Sequence, residues 1–240
     1  VKCVPELLSR LPGRPDDSAI VLPDENLLMC LLNTIPENID DVNVTMGYPM
    51  TSGELYSFMS EVLAAQMHTM QKKGKWYFYH RQVWSLFSSA FFRRIASQED
   101  EEIASRVRKE AKYYIPIEDL NGSPLMDMIF RIAVPEPKNA DCGQIRSFAD
   151  YLIALTGMVA SKVAQDTDFA VEVEFARAYY RTLILLKRID KPLLPITFVR
   201  LLDNILAGVS VPFKGEPLKG LQIMGPLETR ALDFRNVILM

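Results

Sequence analysis

Histidine and cysteine are scarce in this chain. Of 240 residues only two are His (His68 and His80) and three are Cys (Cys3, Cys30 and Cys142). The cysteines are odd in number and widely spaced, with no CxxC pair and no zinc spacing to either histidine. A disulfide-stapled secreted domain is therefore excluded, and a reducing cytoplasm is the expected compartment. Long apolar runs are missing too. None approaches the roughly 18 residues of a membrane span, so no membrane partner is expected. The first residues, VKCVPELLSRLPGRPDD, lack the basic flank and apolar stretch of a signal peptide. Neither sign of charge is in large excess. Lys plus Arg is 27 against 30 for Asp plus Glu, a net charge of −3, which argues against strong non-specific nucleic-acid binding by the whole chain but allows a local basic groove. Phosphate-cradling loops are absent, with no GxxxxGK[ST] and no GxGxxG, and so are GxSxG and HExxH. No nucleophile–base pair or metal constellation emerges, so no catalytic residue and no metal ligand is assigned.

What is present is ordinary globular material. Apolar residues make up 49% and charged ones 24%, enough apolar surface to offset chain entropy and exclude intrinsic disorder. At about 150 residues per domain, one large or two small domains are expected. There is no initiator Met, and the chain stops at VILM inside an apolar run, so the expectation is a fragment of a longer protein.

Ser18–Pro23 (SAIVLP) is short, apolar and bounded by turn residues, which predicts a buried strand. Asp24 then caps a helix with Leu27, Leu28, Leu31 and Leu32 at helical spacing, ended by Pro36-Glu37-Asn38. Val42–Met46 predicts a second strand, closed by Gly47-Tyr48-Pro49. Thr51 or Ser52 caps a long helix through about Met70. Strand–helix–strand–helix is an α/β pattern and implies parallel pairing of the two strands. Between about Tyr77 and Gly208 amphipathic helices take over, predicted at Arg81–Ala96, Asp100–Lys112, Ser123–Ala133, Gln144–Ala164, Asp168–Arg188 and Pro195–Leu206; only Trp76–Tyr79 reads as a strand. Gly220–Met224 and Asn236–Met240 return to strand character. Two strands cannot bury a sheet alone, so one sheet built from both chain ends is expected, interrupted by an all-α insertion. The expected division is 15–75 with 209–240 for the α/β part, and 76–208 for the helical part.

Several charged or aromatic features have ordinary readings. Both histidines read as structural, since neither has a catalytic or metal-ligand neighbour pattern. Glu99-Asp100-Glu101-Glu102 reads as a solvated helix N-terminus complementing the dipole. Tyr113-Tyr114 and Tyr179-Tyr180 read as packing residues rather than base-stacking platforms. Phe91–Ala96 and Tyr179–Arg188 place arginines beside aromatics, which suits either nucleic acid or arginines snorkelling from amphipathic helices. The most informative segment is Leu221–Met240. Between its two strands lie Glu228, Thr229, Arg230, Asp233 and Arg235, where α/β folds place ligands. A charged surface loop, with Arg230 and Asp233 as an ion pair, is the alternative.

This segment resembles motif V of superfamily 1 helicases of the UvrD/PcrA/RecB type, an apolar strand, a T-x-H-x-x-K-G-L-E-F turn and a second strand. The turn here runs Gly225-Pro226-Leu227-Glu228-Thr229-Arg230-Ala231-Leu232-Asp233-Phe234. Arg230, Leu232, Asp233 and Phe234 match the basic, leucine, acidic and Phe positions. Gly225, Leu227 and Ala231 replace the Thr, the His and the Gly. The variant is closer to the AddB subunit of AddAB helicase–nucleases. Ser18–Pro36 is similar to motif IV, and Val42–Leu63 resembles the strand and helix that follow it. The resemblance implies a RecA-like second motor domain (2A) with a helical 2B insertion, matched over most of the chain in layout and over about forty residues in motif. It implies a non-catalytic fragment of an AddB/RecB-like ATP-dependent helicase–exonuclease subunit acting in double-strand break repair and recombination. Its partners would be single-stranded DNA and an AddA/RecB-like subunit; ATP and Mg are implied for the parent complex only. Arg230, Arg235, Lys214, Lys219 and Thr229 would contact DNA. The motif IV arginine falls at Asp24, followed by Asn26, and an acid there would repel phosphate. Two other readings stand beside this one: a helical module docking a partner subunit without DNA, and a self-contained small-molecule enzyme, which lacks a supporting constellation.

Overall fold

The computed structural model describes residues 1–240 apart from 37, 40, 165–169, 213–218 and 231. Its elements are, in chain order, α1 (Val4–Arg10), β1 (Ser18–Val21), α2 (Leu28–Leu32), β2 (Val42–Val44), β3 (Gly47–Pro49), α3 (Glu54–Met67), β4 (Met70–Lys72), β5 (Lys75–Tyr79), α4 (His80–Ser88) and α5 (Ala90–Ile95). Then follow α6 (Gln98–Glu110), β6 (Tyr114–Pro116), α7 (Ile117–Leu120), α8 (Pro124–Ile129), α9 (Cys142–Val163), α10 (Ala170–Lys187), α11 (Pro195–Ala207), β7 (Ser210–Pro212), β8 (Leu221–Met224) and β9 (Asn236–Leu239). The architecture is mixed α/β. The chain forms two compact units, Val1–Ser52 with Ser210–Met240, and Gly53–Val209. Among the described residues no helix is long and apolar enough to cross a membrane.

The first unit is built on a four-stranded sheet in the order β2-β8-β1-β9, all of whose pairings are parallel. The expected direct pairing of β1 with β2 is corrected: β8, from the far end of the chain, lies between them. The reason is apolarity. Every residue of β1 and β8 is buried, and near-continuous apolar strands belong in the middle of a parallel sheet, covered on both faces. β9 sits at the edge, with Val237 and Leu239 exposed, so it is half open rather than buried as expected. Ile20, Leu22, Leu28, Leu31, Val44, Met46, Leu221 and Ile223 form the core, with Val4 of α1 added. Register is held by polar pairs inside the sheet. Asn43 Nδ2 donates to Gln222 Oε1 at 2.7 Å, and Gln222 Nε2 donates to the Gly220 carbonyl at 2.9 Å. A buried amide pair is tolerable because its donors are used. At Gly220 the backbone has φ +74, and a Cβ there would stand 2.0 Å from the Asp41 carbonyl oxygen. Only glycine lets β8 approach β2 this closely.

The long helix after residue 50 starts at Glu54, not at Thr51 or Ser52, and belongs to the second unit. The α/β part therefore ends at Ser52 rather than at 75. The helix start is held from a distance: the buried Glu172 carboxylate of α10 accepts from the Glu54 and Leu55 amides, each at 2.9 Å. The neighbouring Gly53 supplies no side-chain cap, so this carboxylate does the work of a capping residue. Gln66, fully buried near the end of α3, donates to the carbonyls of Ile129 and Arg131 at 3.1 and 2.9 Å and accepts from the Ala133 amide at 3.1 Å. It thereby ties down the turn after α8.

Two local expectations fail for identifiable reasons. The predicted helix 81–96 is two helices, because Ser89 adopts extended backbone and accepts from the Phe92 amide, starting α5 anew. The acidic run at 99–102 is not wholly solvated. Asp100 is buried; it accepts from the Ser97 amide and hydroxyl and from the Ser123 hydroxyl. The expected strand at Trp76–Tyr79 is present as β5, but it is the middle of an antiparallel sheet, β4-β5-β6, whose other two strands were not expected. Its β4–β5 hairpin turns through Lys73 and Gly74, both at positive φ, the geometry that suits the right-handed twist of paired strands.

Glu172→Ala leaves two helix-starting amides without their acceptor, and is expected to lower stability by about 2–3 kcal/mol in denaturant unfolding. Burial also pushes the Glu172 carboxyl above its ordinary value of 4.5, although the two amides pull the other way. Below 4.5 both folded and unfolded chains hold this proton and its contribution is complete. As pH rises through the elevated folded value, the contribution is lost. Stability should therefore fall with rising pH across that window, and Glu172→Gln should flatten the slope.

Candidate functional site

The four strands of the β2-β8-β1-β9 sheet all point the same way, so their carboxyl ends share one edge, where ligands of open α/β sheets bind. β1 leaves that edge through Leu22 and Pro23 to Asp24. The Asp24 carboxylate accepts from the Asn26 amide at 3.0 Å and from its side-chain nitrogen at 2.9 Å. This is an Asx turn that opens the short helical stretch before α2. Asp24 is thus not the N-cap of one long helix, since α2 proper spans only Leu28–Leu32.

β8 leaves the same edge at Gly225. Glu228 folds back so that its Oε2 accepts from the Gly225 amide at 2.9 Å and from the Thr45 hydroxyl at 2.6 Å. Thr45 follows β2, and its own amide donates to the Ile223 carbonyl at 3.0 Å. The carboxyl ends of β2 and β8 are thereby stitched through one carboxylate. Thr229 closes the turn by donating from its hydroxyl to the Pro226 carbonyl at 2.8 Å. Arg230 ends the turn, is exposed, and has no ion-pair partner among the described residues. The alternative of an ion pair with Asp233 is not realised among the described residues; Asp233 is exposed as well. Phe234 is half-buried.

Arg235 and Lys219 lie elsewhere. Lys219 lies one residue before β8, across Gly220, and Arg235 directly precedes β9, so both stand at the amino edge of the sheet. A parallel connection must run from one edge back to the other, and four residues of β8 separate the edges by roughly 13 Å. The basic residues expected as one cluster are thus divided. At the amino edge Lys219 meets an acid, its Nζ lying 3.8 Å from Asp41 Oδ2, while the Arg235 backbone amide donates to the Asp17 backbone carbonyl at 3.0 Å. Asp16 accepts from the Gly220 amide. A cavity of about 330 Å³ opens on this side, lined by Leu8, Arg14, Ser18, Ile39 and Leu221 among others. Lys214 lies outside the described residues.

In the second unit the tyrosine pairs divide. Tyr179 is packed at 1% exposure, but Tyr180 is 46%, Tyr113 61% and Tyr114 42% exposed, which corrects the packing expectation for three of the four. Among the described residues neither histidine has a group of acidic or cysteine side chains gathered around it. His68 Nδ1 bonds the Ala64 carbonyl at 2.8 Å, and His80 Nδ1 bonds the Tyr113 carbonyl at 3.0 Å. Among the described residues no three His, Cys, Asp or Glu side chains could hold a metal ion together. Thr45 was missed by sequence reasoning. Its signal was faint: a hydroxyl directly after an apolar strand, the place where a strand-end side chain meets a neighbouring loop.

No known family model matches the chain, and no curated protein is detectably similar to it in sequence.

Removing the Glu228 carboxylate should loosen this edge without unfolding the unit. Glu228→Ala is expected to raise hydrogen exchange at the Gly225 amide about fivefold, equivalent to roughly 1 kcal/mol for an exposed turn. Thr45→Val should give a smaller change, since the Gly225 bond remains.

Proposed function

We propose that the chain is the 2A-type, RecA-like region of a superfamily 1 helicase–nuclease subunit of the AddB/RecB kind, with a helical 2B-like insertion. Its role is to hold single-stranded DNA within a parent protein of double-strand break repair and recombination, in the cytoplasm and beside an AddA/RecB-like partner subunit. The observation that carries this reading is the neighbourhood of β1. The motif IV-like strand β1 pairs on one side with β8 and on the other with β9, the two strands of the motif V-like segment. Two segments some two hundred positions apart that match consecutive motifs of one family are thus adjacent. The motif V-like turn, Gly225 to Arg230, leaves the sheet at the same edge as Asp24.

Nucleotide chemistry does not fit the residues of this edge. Asp24 stands where a phosphate-binding arginine belongs in the family, and Glu228 adds a second carboxylate beside Thr45. Two acids facing a polyphosphate raise its energy rather than stabilise it. The chain is accordingly a non-catalytic, DNA-contacting piece, with Arg230 as its principal phosphate contact. Arg235 and Lys219, on the other edge and near Asp17 and Asp41, contribute little to the same groove.

A second reading has an observation of its own. The α9–α10 pair carries an apolar groove of about 430 Å³, floored by Gly157, Ala160, Ala164, Val173 and Ala176 and flanked by Tyr180. With Leu185 61% exposed further along α10, this face suits a partner subunit, as a docking module without DNA contact requires.

Fluorescence anisotropy with a labelled single-stranded oligonucleotide separates the two. Binding at low salt is expected, and Arg230→Ala should weaken it two- to fivefold and shrink the slope of log K against log salt by about 0.7. Absence of binding at low salt removes the DNA reading and leaves the docking module.

A further inference from the structure

The second unit carries an aromatic surface that the motif-like residues do not touch. In a strand, alternate side chains face opposite ways. Phe78 of β5 and its cross-strand neighbour Ile115 of β6 are buried. The residues on either side of Phe78, Tyr77 and Tyr79, therefore point to the other face. There Tyr79 is opposed by Tyr114, and Tyr77 by Pro116 and Met70. Tyr113 joins the group: its hydroxyl accepts from the Tyr79 hydroxyl at 3.2 Å, and its carbonyl accepts from the His80 ring at 3.0 Å.

The rings of Tyr79, Tyr113 and Tyr114 form a triangle with centroids 5.4, 5.7 and 5.5 Å apart, at interplanar angles of 67°, 45° and 68°. Together with the His80 ring, 4.6 Å from Tyr79 and 4.5 Å from Tyr113, such edge-on and tilted contacts hold the rings in place. Tyr113 and Tyr114, at 61% and 42% exposure, are the barest. Beside them an open cleft of about 620 Å³ is lined by Met70, Lys72, Lys73, Tyr77 and Tyr114.

Some of the positive charge beside these rings is neutralised and some is not. Lys75 is engaged by Glu118 at 3.5 Å, and Lys112 by Glu110 and Asp119 at 2.8 and 2.6 Å. Lys72, Lys73 and Arg81 are exposed and have no ion-pair partner among the described residues. Among the described residues no carboxylate lines the cleft. A held cluster of partly exposed rings next to exposed cations matches a ligand with flat bases and a phosphate backbone. A duplex hides its base faces, so the match is to a single strand.

We infer that the outer face of the β4-β5-β6 sheet is a single-stranded nucleic-acid site, with Tyr77, Tyr79, Tyr113 and Tyr114 as the stacking surface and Lys72 and Lys73 as phosphate contacts. The inference rests on this face alone and does not require the helicase reading.

The test is anisotropy and intrinsic fluorescence of the whole chain with short single-stranded DNA, single-stranded RNA and duplex DNA. Single strands should bind better than duplex and quench the tyrosine and tryptophan emission; a preference between DNA and RNA names which strand the site takes. The double variant Tyr113→Ala with Tyr114→Ala should lose at least about tenfold in affinity. Both side chains are largely at the surface, so losing their ring contacts should lower the unfolding midpoint only slightly and leave the chain folded in the assay. The double variant Lys72→Gln with Lys73→Gln should shrink the salt slope by about 1.4. Full affinity in the tyrosine variant overturns the inference, as does equal binding to duplex. Binding of a proline-rich peptide in place of any oligonucleotide also overturns it. Arg230→Ala, measured alongside, separates the two sites. Loss there with full binding in the tyrosine variant leaves the motif V-like turn as the DNA contact and removes this one. The reverse result supports the tyrosine face and removes the turn.

Discussion

The first unit depends on seating β8 between β1 and β2. Those strands lie almost the whole chain earlier: the hydrogen bond from Asn43 to Gln222 joins residues 179 positions apart. Closing so long a connection is entropically costly, although the cost grows only slowly with length. The offset comes from burying Leu221, Ile223 and Met224 of β8 in the sheet and from satisfying the amide of Gln222 within it. Gly220 is the steric condition for this arrangement, since any side chain there would collide with the Asp41 carbonyl. Without β8, the strands β1 and β2 have no common neighbour, and the carboxyl edge that carries Asp24, Thr45 and Glu228 does not exist.

The same topology divides the charged residues of the last segment. Because β8 and β9 are both parallel to β1, the chain between them must cross from one sheet edge to the other. Glu228 stays with the carboxyl edge, bound to Thr45 and Gly225, whereas Arg235 is carried to the amino edge beside Asp17. A charge cluster that looks continuous in the sequence is therefore two separate surfaces. The second unit reverses this logic. Tyr77 and Tyr79 are far in sequence from Tyr113 and Tyr114, yet the antiparallel pairing of β5 with β6 brings them onto one face.

Much of the layout was legible. Short apolar runs at 18–21, 42–44, 221–224 and 236–239 marked the strands, and 3.6-residue periodicity marked α3, α9, α10 and α11. The missed parts share a cause: their apolar period is too short, or their partner too remote, to leave a local signal. β3 and β7, three residues each, are strands only because they pair with one another across the second unit's sequence. β4 and β6 likewise exist through β5. Ser89 and Asp100 looked like ordinary polar residues on helices. One became a cap that splits a predicted helix, and the other a buried acceptor for Ser97 and Ser123. Hydroxyls and carboxylates choose between water and a backbone amide according to what comes close, and that choice is not written in the spacing.

Composition and patterning alone determined that this chain is an α/β protein interrupted by a long helical stretch, because burial of apolar residues at period 2 or 3.6 is a local property of the sequence. They also determined the absence of a phosphate-cradling loop, which is a matter of which residues occur in which order. Tertiary structure alone decided which strands are neighbours, which edge each charge occupies, and which tyrosines are bare. Those depend on non-local hydrogen bonds and on the direction in which parallel strands must be joined. A single strand order, β2-β8-β1-β9, separates Arg230 from Arg235 and brings the two motif-like segments side by side.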